Sequence, residues 1–251
     1  MLEAPVLTAL MAAAFAGAFL QSAIGFGFAL IAAPVFLLVM QSAAAIQVLV
    51  AIHVVQSAML VPGLWRNAPR KLLMPMLFGS LAGIPLGLAI FLALDLNTLK
   101  LTVGLAMLLF TTLLIARDAG WLKQLLSSTG PPNSFAAGSV GACAGALTSV
   151  LVMPGPPLIL YAAGRNMEKV ESRALLLTFF AFCYVAVTLT HAFGVGMSRE
   201  AWMLVGWLSP AVVAATILGA LWSRSLSERR FRIWTIAISL LSGVWLVWSA
   251  L

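Results

Sequence analysis

The chain has 251 residues, of which 63% are hydrophobic and 8% are charged, and its mean hydropathy is +1.09. A soluble domain would carry about 25% charged residues, so this composition excludes a water-soluble globular fold. The net charge of +7 comes from basic residues in short connections between apolar segments, a pattern that is typical of a membrane protein and disfavours nucleic-acid binding.

Long apolar segments follow one another from the N-terminus to the C-terminus. Most reach the roughly 20 residues that a helix needs to cross a bilayer. They predict an all-α polytopic membrane protein, because helices satisfy their own backbone hydrogen bonds in lipid. The first segment follows Glu3 without a basic start, so we expect it to belong to the mature protein and not to a cleaved signal. The segments cover 6–40, 43–62, 72–94, 99–116, 174–193, 201–222 and 233–251.

Two stretches share a pattern of small residues that ends at proline. Residues 15–34 read FAGAFLQSAIGFGFALIAAP, and residues 138–157 read GSVGACAGALTSVLVMPGPP. Each stretch is followed by the same succession of apolar segments and polar turns. We therefore expect two homologous transmembrane halves, 1–118 and 134–251, which are joined by a linker at 119–133.

The first apolar segment of each half is expected to break. Residues 5–40 would form a straight helix of about 54 Å, whereas the hydrocarbon core is about 30 Å thick. The predicted breaks lie at 25–27, which reads Gly-Phe-Gly, and at 149–155, where prolines cannot continue the helical hydrogen bonds. Each broken pair is either a re-entrant hairpin or two full crossings, and three transmembrane helices follow it.

The basic residues predict the orientation of the chain. If each broken segment returns to the face from which it entered, twelve Lys and Arg residues lie on one face and only Lys100 and Arg199 lie on the other. If each segment crosses once, the division is six against eight. The larger excess is typical of a cytoplasmic face. We therefore expect two inverted repeats with both termini outside, an arrangement in which secondary transporters bind substrate between the repeats.

Each half also contains a glycine-rich segment that ends in proline. Its residues are Gly17, Gln21, Gly25, Gly27 and Pro34 in the first half, and Gly141, Gly145, Gly155 and Pro157 in the second. On these residues, the length and the four-segment halves, the chain resembles the sulfite exporter TauE/SafE family of membrane permeases. The resemblance implies a carrier of sulfur-containing anions such as sulfite, thiosulfate or organosulfonates. The family has three glycines where this chain has 27–29, Gly-Phe-Ala, and a glycine cluster where it has Thr148, Ser149 and prolines.

Candidate binding groups lie at the two breaks. No acidic residue lies in the middle of an apolar segment, and no basic side chain is clearly buried at mid-depth, so an anion would depend on backbone groups. A helix that begins inside the membrane offers free N–H groups and about half a positive charge. The alternative role for the glycines is close helix packing. The candidate substrate-binding residues are Gln21, Ser22, Gly25, Phe26, Gly27, His53, Gln56, Thr148, Ser149 and Gly155.

Histidine and cysteine are the remaining reactive side chains in apolar segments. His53 and His191 are each the only ionisable side chain in their segments, and each either lines the pathway or bonds a backbone carbonyl in a structural role. Cys143 and Cys183 are expected to be small buried hydrophobes. We expect no catalytic residue, because no membrane nucleophile is paired with a base, and we expect no metal site or cofactor.

These patterns together predict a multi-pass secondary transporter (permease) of the cytoplasmic membrane. It would bind a small sulfur-containing anion near the midplane through the N-termini of broken helices. A passive anion channel is the alternative, followed by a membrane-embedded enzyme or an accessory subunit. No Walker-type motif indicates direct use of ATP. The expected partners are the anion and membrane lipid, and no nucleic acid is expected. The sequence is compatible with both a monomer and a homodimer.

Overall fold

A computed structural model describes residues 4–120, 133–165, 167–222 and 228–251, so most of the expected linker at 119–133 lies outside the described residues. All regular structure in these ranges is helical. A short 3-10 helix, Trp65–Asn67, separates the third and fourth of the ten α-helices in these ranges. The α-helices are α1 Ala4–Ile24, α2 Phe28–Met40, α3 Ala44–Leu60, α4 Arg70–Ala93, α5 Leu96–Asp118, α6 Ser134–Leu151, α7 Gly155–Gly164, α8 Lys169–Gly194, α9 Arg199–Trp222 and α10 Glu228–Trp248.

Six of the described helices are long and apolar enough to cross a membrane, namely α1, α4, α5, α6, α8 and α9. The helices α2 and α3 and the part of α10 at Ile236–Trp248 are apolar but shorter. At 1.5 Å per residue, α2 is about 20 Å long and α7 about 15 Å long, which is less than the roughly 30 Å of hydrocarbon. Neither α2 nor α7 can therefore cross the bilayer as a straight helix by itself.

Glycine allows α4 and α6 to pack backbone against backbone. A Cβ atom added at Gly83 would lie 1.9 Å from the carbonyl oxygen of Ala142. A Cβ atom added at Gly141 would lie 2.0 Å from the carbonyl oxygen of Met76. Small residues allow such close approach in membranes, where helices associate through packing and not through exclusion of water. We call this contact the α4–α6 seam.

A second close contact joins α1 to α9. A Cβ atom added at Gly219 would lie 2.5 Å from the carbonyl oxygen of Phe19. We call this contact the α1–α9 seam. Between the two seams, α3 packs against α8 and α9, and α8 also packs against α4. The helices α5 and α10 pack together at the side, where the hydroxyl oxygens of Thr111 and Ser239 lie 2.7 Å apart.

Candidate functional site

A small cavity lies where the chain between α1 and α2 meets the chain between α6 and α7. Its volume is about 30 Å³, which is room for about two water molecules. Side chains from α5 and α8 complete the wall. The lining residues used below are Gln21, Phe26 and Gly27 from the first interruption, Pro154, Gly155 and Pro156 from the second, and Phe110, Phe180 and Tyr184 from the neighbouring helices.

The first interruption depends on two glycines with positive φ. The helix α1 ends at Ile24, and Gly25 and Gly27 have φ values of +102° and +109°, which side-chain-bearing residues rarely adopt. Gly27 is the N-cap of α2, and no side chain caps this helix end. Helix geometry leaves the first-turn N–H groups of Phe28 and Ala29 without an intrahelical partner. Backbone donors are therefore available beside the cavity.

The second interruption has a different chemistry. The helix α6 ends at Leu151, and Val152 adopts a left-handed conformation while its N–H donates to the carbonyl of Thr148 over 3.0 Å. The helix α7 then begins at Gly155, and its next two residues, Pro156 and Pro157, have no N–H group. The first turn of α7 therefore keeps its dipole but offers fewer hydrogen-bond donors than the first turn of α2.

Four of the predicted site residues line the cavity: Gln21, Phe26, Gly27 and Gly155. Gln21 is the most informative of these, because only 2% of its surface is exposed and its side-chain nitrogen Nε2 has no hydrogen-bond partner among the described residues. A buried donor without a partner costs free energy, which a ligand or water in the cavity would recover. The side chain of Gln21 thus adds a donor to those of α2.

Three predicted hydroxyl residues are buried but are not part of the cavity wall. Each donates to a backbone carbonyl: Ser22 to Thr216 over 2.7 Å, Ser149 to Ile84 over 3.1 Å, and Thr148 to Ala144 over 2.6 Å. The bond from Ser22 connects α1 to α9, and the bond from Ser149 connects α6 to α4. In this structure Ser22 and Ser149 therefore connect neighbouring helices, whereas Thr148 bonds within its own helix.

The predicted pair on α3, His53 and Gln56, is not part of the cavity wall. The Nδ1 atom of His53 is 2.7 Å from the carbonyl oxygen of Leu49, and its ring packs between Phe28 and Tyr184 with centroids 4.1 Å from each. Because Tyr184 lines the cavity, His53 is separated from it by one aromatic ring. The Nε2 atom of Gln56 donates to the carbonyl of Ala18 over 2.8 Å, which connects α3 to α1.

The remaining predicted residue, Gly25, contacts a side chain that is not among the predicted site residues. A Cβ atom added at Gly25 would lie 3.4 Å from the Cγ of Arg173, a residue near the start of α8. Phe180 and Tyr184 follow Arg173 by seven and eleven positions, a helical spacing that places all three on one face. That spacing is the sequence signal that identifies this face of α8 as part of the site.

A second basic side chain is buried, whereas Arg173 is only partly buried. Lys100 is 4% exposed, and its Nζ donates to the side-chain oxygen of Gln41 over 2.6 Å at the C-terminal end of α2. Within the described ranges, no cluster of three or more His, Cys, Asp or Glu side chains could hold a metal ion. The residues that line the cavity carry only backbone amides and neutral side chains, and Arg173 lies nearby.

The helices and the shared cavity define a polytopic α-helical membrane protein with two short helices that begin next to each other. Residues 9–246 match the family model described as Sulfite exporter TauE/SafE. The match covers most of the chain, which therefore belongs to the sulfite exporter TauE/SafE family. A search of curated proteins and a search of solved structures gave no significant match.

Proposed function

We propose that this protein is a secondary transporter (permease) that moves a small sulfur-containing anion, such as sulfite, thiosulfate or an organosulfonate, across the cytoplasmic membrane. The observation that carries the proposal is the cavity, because both helix interruptions line it. Secondary transporters bind substrates where broken helices from two repeats meet, and helix N-termini there favour anionic groups. Membership in the family supplies the class of anion.

The anion is held chiefly at the N-terminus of α2. An unpaired anion costs many kcal/mol in an apolar medium, so it requires several donors. The first-turn N–H groups of Phe28 and Ala29 and the Nε2 of Gln21 can donate on one side, and the N–H of Gly155 can donate on the other. A hydrogen bond to a charged group contributes about 1.5–3 kcal/mol. Because the prolines in the first turn of α7 have no N–H group, α7 contributes fewer hydrogen bonds to the anion than α2 does.

The cavity in this structure is too small for such a substrate. Its volume of about 30 Å³ holds about two water molecules, whereas sulfite has four heavy atoms. The walls must therefore move apart before the anion enters. A transporter needs such a movement, because its site opens to one side of the membrane at a time.

The helix contacts support the two homologous halves that the sequence predicts at 1–118 and 134–251, and the inversion of these halves rests on the distribution of basic residues. Matched in chain order, α1 to α5 correspond to α6 to α10. The helix α1 packs against α9, and α4, which corresponds to α9, packs against α6, which corresponds to α1. The pairs α3 with α8 and α5 with α10 each join two corresponding helices. Repeats related by a two-fold axis would produce this pairing, and we propose that both termini lie outside.

Counterflow in proteoliposomes tests the proposal. Vesicles with the purified protein and an internal load of unlabelled sulfite should accumulate external ³⁵S-sulfite transiently above its equilibrium level. Only a carrier exchanges substrate in this way, so simple equilibration would indicate a passive channel. Vesicles without protein, and vesicles tested with labelled acetate, are the controls. If sulfite, thiosulfate and methanesulfonate all failed to exchange or to raise the melting temperature, the proposal would be wrong.

A further inference from the structure

The side chain of Arg173 reaches the first helix interruption from α8. Its Nη2 donates to the backbone carbonyl of Ser22 over 2.6 Å, in the last turn of α1. Its aliphatic part packs against Gly25. The carbonyl groups in the last turn of a helix lack intrahelical partners and carry partial negative charge, so a cation stabilises them. In this structure Arg173 therefore caps the C-terminal end of α1.

This cap leaves the guanidinium group only partly bonded. Its Nε is buried and has no hydrogen-bond partner among the described residues, and the bond recorded for the group goes to a neutral carbonyl. A guanidinium has five N–H donors in one plane, which match two oxygens of an oxyanion in a bidentate pair. A sulfite or sulfonate group is therefore a better partner for Arg173 than the carbonyl of Ser22.

The position of Arg173 connects this unused capacity to the cavity. Phe180 and Tyr184 lie on the same face of α8 and line the cavity. At 1.5 Å per residue, Arg173 is about 10 Å along the helix axis from Phe180, toward the end of α8 where the chain carries other basic residues. An anion that approaches the cavity along this face meets Arg173 before it meets the N-terminus of α2.

We propose that Arg173 is a substrate-binding residue that exchanges partners during transport. It leaves the carbonyl of Ser22 and forms a bidentate pair with two oxygens of the sulfur oxyanion. The exchange also removes the cap from α1, so arrival of the anion loosens the helix end that lies beside the cavity. The inference rests on the proposed function for the class of anion, and it assigns to that anion a charged partner on α8.

The test compares three full-length variants in sulfite binding, measured by titration calorimetry in detergent. Arg173→Gln removes the charge and the fork of donors, and we expect its Kd to rise by about tenfold to a hundredfold. Arg173→Lys keeps the charge but cannot form a bidentate pair, so its Kd should lie between wild type and Arg173→Gln. Ser239→Ala loses the hydroxyl contact with Thr111 between α5 and α10, away from Arg173, so its melting temperature should fall while its Kd stays unchanged.

The outcomes separate this inference from the proposed function. A purely structural cap predicts that the ligand-free melting temperature falls in Arg173→Gln while the Kd stays within twofold of wild type, and that result overturns the inference. If Arg173→Gln does not fold, Arg173→Lys decides, because an unchanged Kd in that variant excludes bidentate binding. If Gly27→Val abolishes binding while Arg173→Gln keeps the Kd of wild type, the inference about Arg173 is wrong but the proposed function stands. If wild type binds none of the sulfur anions, the proposed function itself fails.

Discussion

Replacing Gly27 with alanine tests whether the backbone before α2 forms the anion site. Gly27 has φ +109° and ψ 0°, a conformation that alanine adopts only under strain. A Cβ atom at this position would lie 2.8 Å from the Cδ2 of Leu20, which is the flexible end of a side chain and can move. The substitution therefore acts mainly on the backbone conformation.

The size of the effect follows from that strain. A residue held in a sparsely populated φ/ψ region costs about 1–3 kcal/mol. The variant relieves the strain by rotating the peptide planes at the break, which turns the N–H groups of Phe28 and Ala29 away from the cavity. Sulfite can bind only after these N–H groups turn back toward the cavity, so the strain energy is subtracted from the binding free energy. Because 1.4 kcal/mol is a tenfold change in Kd, the Kd for sulfite should rise by about 5-fold to 140-fold. The β-branched Gly27→Val should bind no sulfite.

The measurement is sulfite titration of detergent-purified variants, together with the ligand-free melting temperature. Gly206→Ala is the matched control, because Gly206 lies on an exposed part of α9 with no atom within 4 Å of an added Cβ. We expect the control to bind sulfite as wild type does. If Gly27→Ala and Gly206→Ala had the same Kd, the backbone before α2 would not hold the anion.

Four further outcomes are expected. Gln21→Ala should weaken sulfite binding by about 1–2 kcal/mol, whereas Ser149→Ala should lower only the melting temperature; equal losses of affinity would contradict this assignment. Gly83→Val should abolish the folded monodisperse peak in size-exclusion chromatography, because its side chain would overlap a carbonyl of α6; a normal peak and melting temperature would rule out the α4–α6 seam. If transport is coupled to protons, His53→Gln should flatten its dependence on pH, and a flux assay with an unchanged profile would remove His53 from the mechanism. A reporter fused after Leu251 should be located on the side of the membrane opposite the cytoplasm, and a cytoplasmic reporter would contradict the inverted-repeat proposal.

The all-helical membrane class could be predicted from the sequence. Lipid offers no hydrogen-bond partners, so long apolar segments without charge must form helices, and ten described helices with six candidate spans confirm the class. The glycines could be identified but not given one role. Gly27 has positive φ beside the cavity, whereas Gly141 packs against a backbone carbonyl, and only the helix rotation distinguishes these roles.

The direction of polar side chains could not be predicted. Ser22, Thr148 and Ser149 lie close to the interruptions in sequence, but each hydroxyl donates to a carbonyl within a helix or across to a neighbour. Serine and threonine often bond backbone carbonyls in this way, and the competition with a ligand depends on tertiary packing. Gln21 is equally close in sequence, yet it lines the cavity and its Nε2 has no hydrogen-bond partner among the described residues.

The hydropathy of the sequence did not indicate that Arg173 belongs to a helix that lines the cavity. The apolar segment begins at 174, so the preceding basic residues were assigned to a connection, whereas α8 begins at Lys169. A long arginine side chain can extend along a helix while its stem stays in apolar surroundings. The charged end then reaches a site that the segment boundary does not indicate.

The two seams restrict how the cavity can open. Where backbones touch through glycine, no layer of side chains can repack. We therefore expect α4 to move with α6, and α1 to move with α9, as two rigid bodies. Each body combines helices from both halves of the chain. A hinge between the predicted halves, 1–118 and 134–251, would break the contacts in both seams. We therefore expect opening to separate one body from the other, with the sliding surface at the contact between α3 and α8 and the flexible joints at the glycines and prolines that line the cavity.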